Sequence, residues 1–206
     1  MDTTAPDEIE LAIRRHCDAQ RWSDAATLWI EHRGPDVLTF LAALRSEQVD
    51  SLEVFGQFCE DLWRSLPTFR WECSTRTWSY RLARNAWNRA LKRVRRRGAH
   101  LALSEAPQLR DIVEQVRTST ALHQRTEVKD SFTALREHLS PDDQMLLILR
   151  VDRGLGWTDV ARVMLQQSGS PEDEDLVKIS ARCRKQFERI KRKLRELAQA
   201  RGLLPE

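Results

Sequence analysis

The residues best equipped for chemistry lie between Phe69 and Arg97, in the string FRWECSTRTWSYRLARNAWNRALKRVRRR. Phe69, Trp71, Trp78, Tyr80 and Trp87 are interleaved there with cations, and Thr75–Arg97 contains no acidic residue. Aromatic faces stack on unpaired bases while neighbouring cations follow phosphates, so the pattern suits a surface for single-stranded nucleic acid. A helix this basic repels itself and gains most beside a polyanion. The plainer alternative is an amphipathic helix with core tryptophans and solvated cations.

Several elements must position these side chains. The spacing predicts a helix from Thr75, capped by Ser74, with Trp78, Leu82, Ala86 and Leu91 on one side. Arg81, Arg84, Arg89, Lys92, Arg93 and Arg95–Arg97 crowd the other sides. Before it, a helix from about Asp50 to Leu66 places Leu52, Phe55, Cys59, Leu62 and Trp63 in a core, and Pro67 ends it. Glu53, Gln57, Glu60 and Asp61 fall mostly on its polar, acidic exterior. Upstream, Asp7–Ala19 reads as a short helix. Trp22-Ser23-Asp24 offers a cap for a second helix, Gly34-Pro35 breaks it, and a third runs through Val37, Phe40 and Leu44.

Downstream the pattern weakens, and residues 98–129 read as a linker, with a flexible tether as the simplest role for any one residue. A second helical domain, residues 130–206, follows. Phe132, Leu135 and Leu139 share one helix, Ser140-Pro141 opens the next, and Met145–Leu149 with Val151 fill its core face. Trp157–Met164 is a short helix, followed by the acidic stretch QQSGSPEDED. A long final helix runs from about Ser170 to Arg201. Its stripe of Leu176, Ile179, Cys183, Phe187, Ile190, Leu194 and Leu197 suits a core face or a coiled-coil seam.

Composition narrows the class. The chain has 206 residues and a formal net charge of only +3, and its mean hydropathy of −0.57 fits a soluble protein. Abundant Leu, Ala, Arg and Glu predict an all-α fold of two small helical domains. Charge is segregated: the first 62 residues are acidic, whereas the helices at Thr75–Arg97 and Arg182–Arg201 are basic. Local fields of this kind can bind nucleic acid on a nearly neutral chain. Cys17, Cys59, Cys73 and Cys183 lie far apart, with neither metal-binding nor disulfide spacing, so free thiols in a reducing cytoplasm are expected. The five histidines are scattered, and there is no Gly-rich phosphate loop, metal spacing or Ser/His/Asp grouping, so no enzyme, cofactor or metal is expected. The acidic N-terminus is no signal peptide, and no apolar run reaches membrane-spanning length.

The run F-R-W-E-C-S-x-R-T-W-x-Y-R-L-A-R-N resembles regions 2.3 and 2.4 of the extracytoplasmic-function sigma factors of bacterial RNA polymerase. The resemblance implies that this loop and helix capture a base flipped from the promoter −10 element. Phe69, Tyr80 and Asn85 take pocket positions, Trp71, Glu72 and Cys73 set the base preference, and Arg84 and Arg89 add contacts. E-V-F-G-Q-F-C-E-D-L-W is similar to region 2.2, which implies docking on core polymerase through Glu53, Gln57, Glu60 and Asp61. Gly56 replaces a family Gln, and one polar contact is missing there. In the C-terminal half, G-W-T-D-V-A-R-V-M is similar to the first helix of the region 4 helix-turn-helix, although the acidic stretch lengthens the turn. A-R-x-R-K-x-F-x-R-x-K resembles its recognition helix, implying −35 contacts from Arg182, Arg184, Lys185, Gln186 and Arg189. Core RNA polymerase and promoter DNA are the implied partners, and an anti-sigma factor is a further partner the resemblance admits. An ordinary helix-turn-helix DNA-binding transcriptional regulator is the alternative; it accounts for the C-terminal half but not for the aromatic–basic helix.

Overall fold

A computed structural model of the chain describes residues 8–44, 46, 48–96, 116, 134–165 and 173–203. The chain divides into two compact units, Met1–Arg125 and Thr126–Glu206. Both are helical, and the described residues contain no β-strand. The all-α fold follows from the composition: helix formers dominate, and apolar residues recur at three- and four-residue steps.

The first unit is a four-helix arrangement of α1 (Glu8–Asp18), α2 (Trp22–Ala43), α3 (Ser51–Ser65) and α4 (Thr75–Arg96). A 3₁₀ turn, Leu66–Thr68, carries Pro67 out of α3. α2 packs on all three of the others, and α3 packs on α4. Trp29, Phe40, Phe55, Phe58 and Leu62 are wholly buried between them. Each such side chain contributes roughly 1.5–3 kcal/mol by leaving water.

α1 turns into α2 through paired bonds: Arg21 N–H donates to the His16 carbonyl and Gln20 N–H to the Cys17 carbonyl, both at 2.9 Å. Gln20 takes the left-handed conformation, φ 55°. This is a Schellman ending made without glycine. The turn is tight enough that α2 begins at Trp22 with Arg21 in the cap position and no side-chain cap bond. Ser23 and Asp24 therefore lie inside the first turn rather than capping it.

Gly34-Pro35 does not break the helix as expected; α2 runs through it to Ala43. Proline inside a helix costs about 3 kcal/mol, so continuity must come from packing. Ile30, Val37, Leu38, Phe40 and Leu41 are buried on either side of the proline and hold both halves in the core. A Cβ on Gly34 would lie 3.3 Å from Phe55 Cζ and from Val116 Cγ1, so the missing side chain lets α2 approach α3 closely. Val116 is buried here; the rest of the expected linker, residues 98–129, lies outside the described residues.

α3 starts as the sequence suggests, with Asp50 accepting from the Leu52 N–H at 2.9 Å. Leu52 itself is 41 % exposed rather than core. It sits in the first turn, ahead of the face formed by Phe55, Phe58, Cys59 and Leu62.

The second unit contains α5 (Pro141–Leu147), a π-helical segment (Ile148–Asp152), α6 (Trp157–Met164) and α7 (Asp173–Ala200). Ser140 caps α5 by accepting from the Asp143 N–H, with Pro141 in the first turn. Met145–Leu149 are buried, but Val151, expected beside them, is 54 % exposed. The π turn explains the difference. Arg153 N–H reaches back five residues to the Ile148 carbonyl, and one extra residue per turn rotates Val151 outward. α6 packs on α7, with Trp157 edge-on to Phe187 at 5.5 Å. The acidic connection lies mostly in residues 166–172, outside the described residues.

Candidate nucleic-acid interface

The loop before α4 gathers the aromatic residues into one cluster. Phe69 lies 5.4 Å from Trp29, 4.8 Å from Trp71 and 5.1 Å from Trp78, measured between ring centroids. Arg14 of α1 lies over Trp71 at 5.4 Å, and Arg81 lies over Trp78 at 5.3 Å. Trp71 has φ 58°, an unusual conformation for a bulky residue. That backbone strain, on the order of 1–3 kcal/mol, persists only because the surrounding rings and cation fix it. Trp78 Nε1 is a buried donor with no acceptor among the described residues.

A hydrogen-bond chain anchors the start of α4. Trp29 Nε1 donates to Ser79 Oγ, which donates to the Thr75 carbonyl, both at 2.8 Å. Thr75 Oγ1 donates to Glu10 Oε2 at 3.2 Å and accepts from Arg33 Nε at 3.4 Å. Ser74 Oγ accepts the Thr77 N–H at 3.2 Å, the expected cap. α1 and α2 thus fix the first turn of α4, and with it the aromatic loop. Glu10, Arg14, Trp29 and Arg33 lie outside the motif string. Only Trp29 left a trace in the sequence, as one apolar position in a helical pattern.

The residues expected at the −10 element occupy two different settings. Phe69, Trp71 and Cys73 are half-buried in or beside the loop, and Glu72 is exposed. Asn85 is half-buried and Arg89 exposed further along α4. Tyr80 and Arg84 are only 1 % and 2 % exposed. Tyr80 meets Phe40 edge-on at 5.1 Å, within the core. α4 buries side chains on more than one face because α2 and α3 both pack on it, whereas the sequence suggested a single apolar side. Burial pushes the Arg81 pKa below its ordinary value, opposed by the neighbouring Cys73 and Glu72.

The expected polymerase-docking residues form a seam with α4. Gln57 Nε2 donates to Glu60 Oε2 at 3.4 Å and to Asp61 Oδ1 at 3.3 Å. Asp61 pairs with Arg89, and Glu53 lies 3.8 Å from Arg93. The seam offers carboxylates and guanidinium groups side by side, and each exposed pair adds at most about 1 kcal/mol to stability.

In the second unit, α7 divides its cations between two sides. Arg182, Lys185 and Arg189, with Lys178 and Lys193, line a groove of about 840 Å³ against Asp142 and Asp143 at the start of α5. Gln186 Nε2 donates to Asp143 Oδ1 at 2.7 Å across it. Arg184 belongs elsewhere: its guanidinium lies 5.8 Å from the Trp157 ring centroid, and that of Arg150 lies 4.8 Å from the same centroid. Of the five residues expected at the −35 element, four share the groove and Arg184 belongs to the α6 side.

All four cysteines are free thiols, and burial together with Asp18 pushes the Cys17 pKa up to about 11. Among the described residues, no helix is long and apolar enough to cross a membrane. Neither a curated protein nor a solved structure matches the chain. Residues 29–97 match the family model Sigma-70 region 2. That stretch begins inside α2 and takes in α3, the aromatic loop and α4, and its match supports a role for the chain as an RNA polymerase sigma factor.

Proposed function

We propose that the chain is a sigma factor of the extracytoplasmic-function group, which brings core RNA polymerase to specific promoters from the cytoplasm. In this reading α3 and its seam, through Glu53, Gln57, Glu60 and Asp61, dock on core polymerase. The loop and α4 hold the −10 element as its strands separate. Phe69, Trp71, Glu72, Cys73, Asn85 and Arg89 make contact, while Tyr80 and Arg84 support the helix from beneath. The second unit acts as a helix-turn-helix on the −35 duplex. Arg182, Lys185, Gln186 and Arg189 approach from the groove side of α7, and Arg184 from the α6 side, where arginine is the commonest reader of guanine.

One observation carries the reading: the Sigma-70 region 2 match falls on a bundle whose loop clusters Phe69, Trp71 and Trp78 with Arg81 overhead. Unstacking a base costs a few kcal/mol, and aromatic stacking returns about 1–3 kcal/mol per base, so such a cluster can offset strand opening without nucleotide hydrolysis. The test is run-off transcription with core enzyme and genomic fragments, coupled to permanganate footprinting. Discrete transcripts, with reactive thymines near −10 only when core enzyme is present, are the expected result. Duplex binding without melting, in the presence or absence of core enzyme, would instead fit an ordinary helix-turn-helix regulator. An anti-sigma partner would appear as a protein that blocks this transcription by binding the chain.

A further inference from the structure

We propose that α1 supplies a phosphate-binding cation to the aromatic loop: Arg14, stacked over Trp71, holds a backbone phosphate of the single strand whose base meets the Phe69–Trp71–Trp78 cluster. The inference rests on the reading of that cluster as a single-strand site. It adds a residue that lies outside the matched segment, residues 29–97.

Three observations carry it. Arg14 is exposed, and its guanidinium lies 5.4 Å from the Trp71 ring centroid. A guanidinium stacked on an aromatic face keeps its N–H edge free for a planar or tetrahedral anion and loses little freedom on binding one. Among the described residues, Arg14 makes no ion pair, and the nearby α1 carboxylate of Glu10 is already taken up by Thr75. Trp71 itself holds a positive φ, and its ring meets Arg14 of α1. Arg14 over Trp71 and Arg81 over Trp78 set two cations on the ring cluster. Rings flanked by cations at this spacing suit one nucleotide, with its base on the aromatic faces and its phosphate at the rim. The ligand class is therefore a nucleic-acid backbone phosphate.

The experiment uses the full chain bound to core polymerase and a fluorescent single-stranded 12-mer of random sequence, titrated at several salt concentrations. Arg14→Gln is expected to weaken binding by about fivefold at moderate salt and to flatten the logarithmic salt slope by about 0.7, the share of one phosphate on a single strand. Arg14→Lys should keep the slope and lose only part of the affinity, because the charge remains while the stacking is altered. A residue that merely props up Trp71 would lower affinity in both variants without changing either slope. An unchanged slope in Arg14→Gln overturns the inference and leaves the single-strand site standing. Absence of oligonucleotide binding by the unmodified complex overturns the parent reading as well, so the two failures are distinguishable.

Discussion

α4 and α7 are both long, strongly basic helices, yet they use their cations in opposite ways. On α4, Thr75, Thr77, Ser79, Tyr80, Leu82, Ala83, Arg84, Ala86 and Trp87 are buried. Arg81 is half-buried over Trp78, and Arg89 and Arg93 pair with Asp61 and Glu53 of α3. On α7, burial is confined to a narrow stripe of Leu176, Ser180, Cys183, Ile190 and Ala198. Lys178, Arg182, Arg184, Lys185 and Arg189 all remain exposed. The cause is the length of the neighbours. α4, 22 residues long, is gripped by α2 and α3 with 22 and 15 residues, while α7, 28 residues long, packs on α5 and α6 with 7 and 8 residues and keeps a wide exposed face. Positive charge on a helix gripped by long neighbours is largely a structural component, and positive charge on a helix with short neighbours stays available to a partner.

The sharpest way to break this contrast is to remove one arginine from each helix. Arg84→Ala should lower stability by about 3 kcal/mol, because a large side chain packed at 2 % exposure is lost together with its polar contacts. Arg184→Ala should change stability by less than about 0.5 kcal/mol. It should weaken duplex binding by roughly 1–3 kcal/mol where it reads a base. Urea unfolding followed by tryptophan fluorescence, with a gel shift for Arg184→Ala, measures both. Equal stability losses would erase the distinction between the helices.

The second effect concerns the buried thiol of Cys17. Its pKa is raised from 9.0 to about 11, so the folded chain keeps a proton that the unfolded chain releases. The associated stability is complete below pH 9 and is lost as pH rises through 11. The loss approaches about 2–3 kcal/mol for a shift of this size. Comparing the chain with Cys17→Ala across that window isolates the effect from lysine titration. The stability advantage of the natural residue should shrink by that amount, and a constant difference would remove the thiol from the account.

The hydrogen bond from Trp29 to Ser79 comes next. Trp29→Phe keeps most of the apolar volume but leaves Ser79 without its donor, and should cost about 1–2 kcal/mol in the first unit. The same exchange at Trp157, which is half-buried in the second unit, should cost less. Six of the seven tryptophans belong to the first unit, so far-UV circular dichroism is the even-handed probe. A larger loss at Trp157 would reverse the ranking of the two units.

These ranks show which features were legible in the sequence. The helices were legible wherever apolar spacing was regular, as at α1, α3, α4 and α7, and so were the Ser74 cap and the opening of α5 at Ser140-Pro141. Local rules failed where tertiary packing overrode them. Pro35 should stop a helix, but buried residues on either side keep α2 continuous. Val151 should face the core, but a π turn, which has no period of its own to read, rotates it out. At the candidate site, the motif string located the aromatic loop but could not distinguish a cation that faces solvent from one that faces α2 or α3. Tyr80 and Arg84 therefore looked no different from Asn85 and Arg89. Arg14 was invisible because its partner, Trp71, lies far away along the chain.

The smallest prediction contrasts the same turn made twice. α7 ends with Gly202 at φ 67°, its N–H donating to the Gln199 carbonyl and the Leu203 N–H to the Ala198 carbonyl, both at 2.9 Å. α1 ends with the same pair of bonds around Gln20 at φ 55°. Glycine adopts this conformation without a Cβ clash, whereas any other L-residue pays roughly 1–2 kcal/mol of steric strain. Gln20→Gly relieves that strain but increases the freedom of the unfolded chain, which takes back part of the gain. The net expectation is a stabilisation of about 0.5–1 kcal/mol, read as a higher urea midpoint with an unchanged slope. Gln20 is exposed, so no packing is lost in the exchange. A lower midpoint would mean that the Gln20 side chain contributes more to the α1–α2 corner than its backbone costs, and the two turns would then be alike in geometry but not in what holds them.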